Sequence, residues 1–85
     1  MEDIIQIYPN PVDKSLNLEL NLEENTNIGL RICDFQGRQV QQSTYSQLSV
    51  GYHTIPLNMS GLKAGLYMIE VYMNEQFLQK KLVKL

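Results

Sequence analysis

Leu16-Asn17-Leu18-Glu19-Leu20-Asn21-Leu22 is the stretch of this sequence that decides the fold. Its four leucines alternate with polar residues, so a β-strand would place every leucine on one face and every polar residue on the other. An α-helix has a period of about 3.6 residues and would scatter the same leucines around its circumference. The stretch is therefore predicted to be a half-buried strand, although leucine and glutamate are good helix formers.

The same alternation recurs along most of the chain. Turn residues separate the runs at intervals of about 8–12 residues, a spacing typical of antiparallel sandwiches, and no long helical pattern competes. The sequence therefore predicts an all-β, immunoglobulin-like sandwich of about seven antiparallel strands. The positions that define the further strands are Ile28, Leu30 and Ile32; Val40, Thr44 and Tyr45; Ile55 and Leu57; Tyr67, Ile69, Val71 and Met73; and residues 4–8 and 77–85 for the first and last strands.

Residues suited to turns lie between the predicted strands. Asp34-Phe35-Gln36-Gly37 begins with Asp and ends with Gly, as a type I turn does. Residues 23–27 are expected to form a loop, and Asn74-Glu75 to join the last two strands. Pro56 has no N–H group to donate, so its strand is expected to be an edge or to end soon afterwards. Residues 58–64 do not alternate and predict a crossover loop, with room for one helical turn.

Tyr67 follows that loop and opens a strongly alternating strand. Immunoglobulin-like sandwiches often have a tyrosine here, whose hydroxyl bonds to the main chain a few residues upstream and fixes the crossover. The alternative is an ordinary core aromatic with its hydroxyl at the rim. In either case we expect Gly37, Gly65 and Tyr67 to be structural residues.

Length and charge limit the class of protein. The 85 residues suffice for one domain with one hydrophobic core, so residues 1–85 are predicted to be a single unit. A net charge of −2 argues against a nucleic-acid partner, which would require a basic face. No apolar run reaches about 18 residues, so no membrane span is expected. The acidic start does not resemble a signal peptide, so work outside the cytoplasm would require a longer precursor.

No combination of residues suggests catalysis or metal binding. Cys33 and His53 are the only cysteine and histidine, and no motif brings them together, so both are expected to be ordinary residues of the outer faces. The carboxylates are scattered or adjacent, and the glycines occur singly at turns. The sequence therefore predicts that the protein is not an enzyme and has no catalytic residue, no cofactor and no metal site.

Three segments occur together in a distinctive order. They are Ile7-Tyr8-Pro9-Asn10-Pro11 before the leucine stretch, Ile32-Cys33-Asp34-Phe35-Gln36-Gly37-Arg38-Gln39-Val40 in the middle, and Leu62-Lys63-Ala64-Gly65-Leu66-Tyr67-Met68-Ile69-Glu70-Val71 before the last strand. In this order and spacing, the chain resembles the type A C-terminal sorting domains of cargo proteins of the type IX secretion system in Bacteroidetes-type bacteria. The resemblance covers almost the whole chain.

The resemblance implies a role in protein transport. Such a domain is a seven-stranded immunoglobulin-like sandwich at the C-terminal end of a large secreted precursor. It directs its cargo through the periplasm and across the outer membrane to the cell surface or the medium. The implied partners are the type IX translocon, an outer-membrane shuttle protein and a surface sortase, which removes the domain and can attach the cargo to lipopolysaccharide.

The segment of Tyr8, Pro9, Asn10 and Pro11 is the first candidate for recognition by the translocon. Proline fixes its own φ angle and restricts the residue before it, so a stiff, extended corner is expected. This corner is either a rigid link between the first two strands or a direct contact with the translocon.

The last predicted strand is the second candidate, with residues Lys80, Lys81, Leu82, Val83 and Lys84. It holds three of the seven basic residues of an acidic chain. The lysines either protect an edge strand against aggregation or form an electrostatic recognition tail. The first and last strands are expected at open sheet edges, where a partner strand or a second copy of the chain can add.

Two other functions suit the same fold. A carbohydrate- or protein-binding module, as in adhesins, would require a planar aromatic patch or an acidic metal loop, and neither is clear in the sequence. A structural spacer would tolerate changes in the last strand. The fold alone does not separate these functions from sorting, because sandwiches serve many purposes.

Overall fold

The computed structural model describes residues 4–85, and these residues form two antiparallel sheets without any helix. The strands are β1 (Ile4–Tyr8), β2 (Ser15–Leu22), β3 (Thr26–Asp34), β4 (Gln39–Leu48), β5 (Gly51–Asn58), β6 (Gly65–Met73) and β7 (Gln76–Lys84). One sheet has the order β1-β2-β5 and the other β4-β3-β6-β7. The predicted sandwich of seven strands is therefore confirmed. Within the described range, no helix is long and apolar enough to cross a membrane.

The core lies between the sheets and is built from the alternating strands. In β2, Leu16, Leu18 and Leu20 are completely buried, whereas the residues between them face outward. β2 lies between β1 and β5, so both of its edges are hydrogen-bonded, and Leu18 is paired with Ile7 on one side and Ile55 on the other. The central strands of the other sheet complete the core with Ile28, Leu30, Ile32, Ile69, Val71 and Met73.

The turn between β3 and β4 has the predicted position and chemistry. The N–H of Gly37 donates to the carbonyl oxygen of Asp34 at 3.0 Å. The Asp34 carboxylate accepts hydrogen bonds from the main-chain N–H groups of Gln36 and Arg38, both at 2.9 Å. The bond from the Arg38 N–H is the main cause that holds the pKa of Asp34 below its usual value. Gly37 has a φ of 88°, which side chains disfavour, so its structural role is explained.

The loop between β2 and β3 is shorter than predicted. β3 begins at Thr26 instead of after residue 27, so the loop comprises residues 23–25. The buried Thr26 donates its hydroxyl to the carbonyl oxygen of Glu24 at 2.8 Å, which closes the loop early. A β-branched residue with a local partner for its hydroxyl is well suited to the first position of a strand.

The chain crosses from one sheet to the other after β5. As predicted, β5 is an edge strand at Pro56 and ends soon afterwards. The crossover contains a hydrogen-bonded turn, in which the Leu62 N–H donates to the Met59 carbonyl oxygen at 3.1 Å, and not the helical turn for which the sequence left room. Gly65 begins β6 with a φ of 150°.

Tyr67 fixes this crossover. Its hydroxyl donates to the carbonyl oxygen of Lys63 at 2.7 Å, four residues upstream. The ring is buried with the core, so one side chain joins the apolar interior to the crossover loop. The predicted tyrosine corner is confirmed.

Leu18→Asp is expected to unfold the domain, because it places a carboxylate in the centre of the core without a partner. The expected loss in the free energy of unfolding is about 4 kcal/mol or more. Asn21→Asp introduces the same side chain on the exposed face of the same strand and is the matched control, with an expected change below about 0.5 kcal/mol. Chemical denaturation measures both; similar midpoints for the two variants would contradict the assigned faces.

Tyr67→Phe is expected to lower the free energy of unfolding by about 1 kcal/mol, the usual net value of one hydrogen bond. The ring is retained, so the core packing is preserved. Tyr72→Phe removes a hydroxyl from a more exposed tyrosine of the same strand and serves as the control. Equal denaturation midpoints for Tyr67→Phe and the unmodified domain would show that the hydroxyl is not needed at the crossover.

Candidate recognition surface

The structure brings the two candidate recognition segments together, although Asn10 and Val83 are 73 positions apart along the chain. Residues 9–14 connect β1 to β2, and they pass along the outer edge of β7. The segment is bent at Asn10 and Pro11 instead of extended as expected, and both X-Pro peptide bonds are cis. The two candidates are therefore parts of one surface.

Asn10 makes the first pair of contacts with β7. Its side-chain Nδ2 donates to the carbonyl oxygen of Lys81 at 3.1 Å. Its Oδ1 accepts the main-chain N–H of Val83 at 3.0 Å. A side-chain amide has one donor and one acceptor side, as a peptide group does, so Asn10 occupies the place of a neighbouring strand.

Val12 makes the second pair of contacts and was not identified from the sequence. Its N–H donates to the carbonyl oxygen of Val83, and its carbonyl oxygen accepts the N–H of Leu85, both at 2.8 Å. Val12 forms a parallel bridge with Lys84 and is completely buried. The chain thus leaves the β1-β2-β5 sheet for one residue, joins the edge of the other sheet and returns. A single valine between Pro11 and Asp13 carries no periodic pattern, so nothing in the sequence indicated its contact with β7.

These contacts divide the outer edge of β7 into a covered and an open part. The outward main-chain groups from the carbonyl oxygen of Lys81 to the N–H of Leu85 are occupied by Asn10 and Val12. A strand repeats every two residues, so the main-chain N–H and carbonyl groups of Phe77 and Gln79 also point away from β6. These groups have no main-chain partner. The predicted position of β7 at a sheet edge is confirmed, but the accessible part is shorter than expected.

The three lysines of β7 do not share one environment. Lys80 and Lys84 lie on the face of β7 that also carries the buried Leu82, whereas Lys81 lies on the outer face with Val83. Lys80 and Lys81 are exposed, but Lys84 is 93% buried, with 7% of its surface accessible. Its Nζ donates to the main-chain oxygen of Leu85 at 2.8 Å. An electrostatic recognition tail would need exposed ammonium groups, so Lys84 does not fit that alternative, whereas Lys80 and Lys81 do.

Tyr8 anchors the other end of the segment. Its hydroxyl donates to Oε1 of Glu19 at 2.7 Å, across the outer face of the β1-β2-β5 sheet. This hydrogen bond is the main cause that raises the pKa of Tyr8, because it and the negative charge of Glu19 both favour the protonated phenol. Pro9, Asn10 and Pro11 are exposed, so the segment presents a rigid, uncharged ridge beside β7.

Cys33 and His53 lie far apart in the topology. Cys33 belongs to β3 and His53 to β5, in different sheets. Cys33 is buried although it lies on the outer face of β3, and its Sγ is 4.0 Å from Oε1 of Glu70. His53 is half-buried and lies on the face of β5 that carries Ile55 and Leu57, so the expected position on an outer face is wrong for this residue. Its Nε2 is hydrogen-bonded to the carbonyl oxygen of Ser49 at 2.8 Å. Among the described residues, no group of three His, Cys, Asp or Glu side chains could hold a metal ion.

Comparison with known proteins identifies the family. The family model described as "Secretion system C-terminal sorting domain" matches residues 6–85, which is nearly the whole chain. No curated protein matches the chain. The match includes the segment at residues 8–11 and all of β7, the two parts that the fold places side by side. The chain therefore belongs to the family of secretion system C-terminal sorting domains, the signals of type IX secretion.

Proposed function

We propose that this domain directs an attached cargo from the periplasm through the type IX translocon by presenting one composite surface. That surface consists of residues 8–11 together with residues 80–84 of β7. A surface sortase then removes the domain, which has no catalytic activity of its own. The observation that carries this proposal is the pairing of Asn10 and Val12 with the last strand of a family member whose role is export.

The composite surface explains why neither segment needs to be recognised alone. The hydrogen bonds of Asn10 hold the main chain at Lys81 and Val83, next to the exposed ammonium groups of Lys80 and Lys81. Pro9 and Pro11 flank Asn10, and Lys80 and Lys81 extend from the two opposite faces of the strand that Asn10 contacts. A partner that contacts both would distinguish the folded domain from any unfolded segment with a similar sequence.

The charges suggest the chemistry of the partner. The chain has a net charge of −2, yet three of its seven basic residues lie in β7. Since Lys84 is buried, Lys80 and Lys81 are the two ammonium groups available for contact. We propose that the outer-membrane shuttle protein or the translocon offers carboxylates to these two lysines. Charge-assisted hydrogen bonds of this kind are the stronger ones in proteins.

The exposed lysines can be tested by export of a reporter. The domain is fused to the C-terminus of a periplasm-directed reporter in a host with type IX machinery, and surface and medium reporter are measured. Lys80→Gln with Lys81→Gln is expected to reduce export about tenfold or more, since each charged hydrogen bond contributes roughly 1.5–3 kcal/mol. Lys14→Gln with Lys63→Gln makes the same charge change at exposed positions outside β7. Normal export of the variant with both changes in β7 would show that Lys80 and Lys81 only protect the edge strand against aggregation.

Deletion of residues 80–85 tests the sorting function as a whole. It removes Leu82 from the core as well as the partners of Asn10 and Val12, so the reporter is expected to stay in the periplasm. Export of the truncated fusion would defeat the proposed role of the last strand. Mass spectrometry of the exported reporter tests the sortase step: retention of the whole domain would contradict removal.

Asn10→Ala tests whether the two segments act as one surface. It removes two hydrogen bonds to β7 but leaves both main-chain contacts of Val12 in place. Each bond contributes on the order of 1 kcal/mol, so the Val83 amide should exchange with solvent faster while the domain stays folded. Export of the reporter is also expected to decrease, because the two segments are no longer held together by Asn10. Asn21→Ala, on the exposed face of β2, is the control, and full export of Asn10→Ala would separate the two segments functionally.

A further inference from the structure

The sandwich has four edge strands among its described residues, and three of them have features that hinder pairing with another strand. β1 is only five residues long. β5 contains Pro56, which offers no N–H group. β7 is covered by Asn10 and Val12 along one half, and it carries Lys80 and Lys84 on its inward face. Short strands, prolines and inward charges are the usual means by which proteins prevent edge pairing.

β4 lacks these protections. It is the longest strand of the structure, with ten residues, Gln39–Leu48, and it contains no charged residue and no proline. Extra residues on β4 disturb its pairing with β3 near both ends, between Gln39 and Gln41 and between Tyr45 and Leu48. Residues 41–45 between these bulges pair one to one with β3. This regular stretch therefore leaves a straight row of main-chain donors and acceptors on its free side.

We infer that residues 41–45 of β4 pair with the same residues of a second copy of this chain. An antiparallel pair about a twofold axis brings each copy of β4 against itself, and no like charges meet because the strand has none. Gln42 and Thr44 are exposed on the outer face, and both side chains donate and accept hydrogen bonds. With Ser43 at the twofold axis, Gln42 of one copy lies opposite Thr44 of the other, and the two side chains are complementary.

The pairing would join two four-stranded sheets into one. β4 and β7 lie at opposite edges of their sheet, so the composite surface at β7 stays free in the dimer. The inference is therefore independent of the proposed export function. A contact of five residues per copy is much smaller than a standard interface of roughly 1,600 Å², so the dimer is expected to be weak.

Sedimentation equilibrium and amide chemical shifts of the chain, from about 10 μM to about 1 mM, test the inference. The expected result is reversible dimer formation, with shift changes centred on residues 41–45. A monomer throughout this range would overturn the inference, as would shift changes centred on β7 or β5.

A charge exchange separates pairing from folding. Thr44 lies one residue from the centre of the stretch and is exposed on the outer face, so a longer side chain can extend into solvent. Thr44→Lys and Thr44→Glu should each be folded and monomeric alone, whereas an equimolar mixture should dimerise. Asn21→Lys adds the same charge on β2, whose two edges are occupied, and should dimerise normally. Dimers of either single Thr44 variant, or a monomeric mixture of the two folded variants, would contradict self-pairing through β4.

Discussion

The hydrophobic contact between the two inner faces is the interaction on which the rest of the structure depends. A chain of 85 residues has only enough apolar surface for one such contact, and the leucine face of β2 occupies its centre. β2, β3 and β6 form the centre of this contact, and each of them is hydrogen-bonded to a neighbouring strand on both sides. The remaining strands are edges by necessity. The interactions that distinguish this domain from other sandwiches are therefore found along its edges.

The edge of β7 shows how a structural need and a sorting role can share the same residues. An edge strand with two inward lysines is a poor partner for chance pairing, and Asn10 and Val12 occupy half of it. The same arrangement fixes the positions of the two exposed ammonium groups relative to Pro9 and Pro11. Protection and recognition were alternatives when the sequence alone was considered. In the folded domain they are compatible, because Lys84 is buried while Lys80 and Lys81 are exposed.

Most of the fold could be predicted because it rests on local patterns. Alternating residues identified the strands, Asp34 and Gly37 the tight turn, and Tyr67 the corner, since each depends on neighbours within a few residues. The contact of Asn10 with Val83 could not be predicted, because a side-chain amide that binds a main chain 73 positions away produces no periodic pattern in the sequence. The burial of Lys84 escaped prediction for a related reason. Its environment is set by its place in the sandwich, and charge alone suggested exposure.

The pairing of Val12 with Lys84 also has a consequence for the order of folding. Contacts between residues so distant in the chain form late, since a large loop must close before they add any stability. Synthesis proceeds from the N-terminus, so residues 8–12 cannot form their hydrogen bonds with β7 until β7 has been synthesised. A surface assembled from both ends of a domain exists only after the last strand has docked. Such a surface is present only on a complete domain, so a partner that required it would discriminate against domains that lack β7.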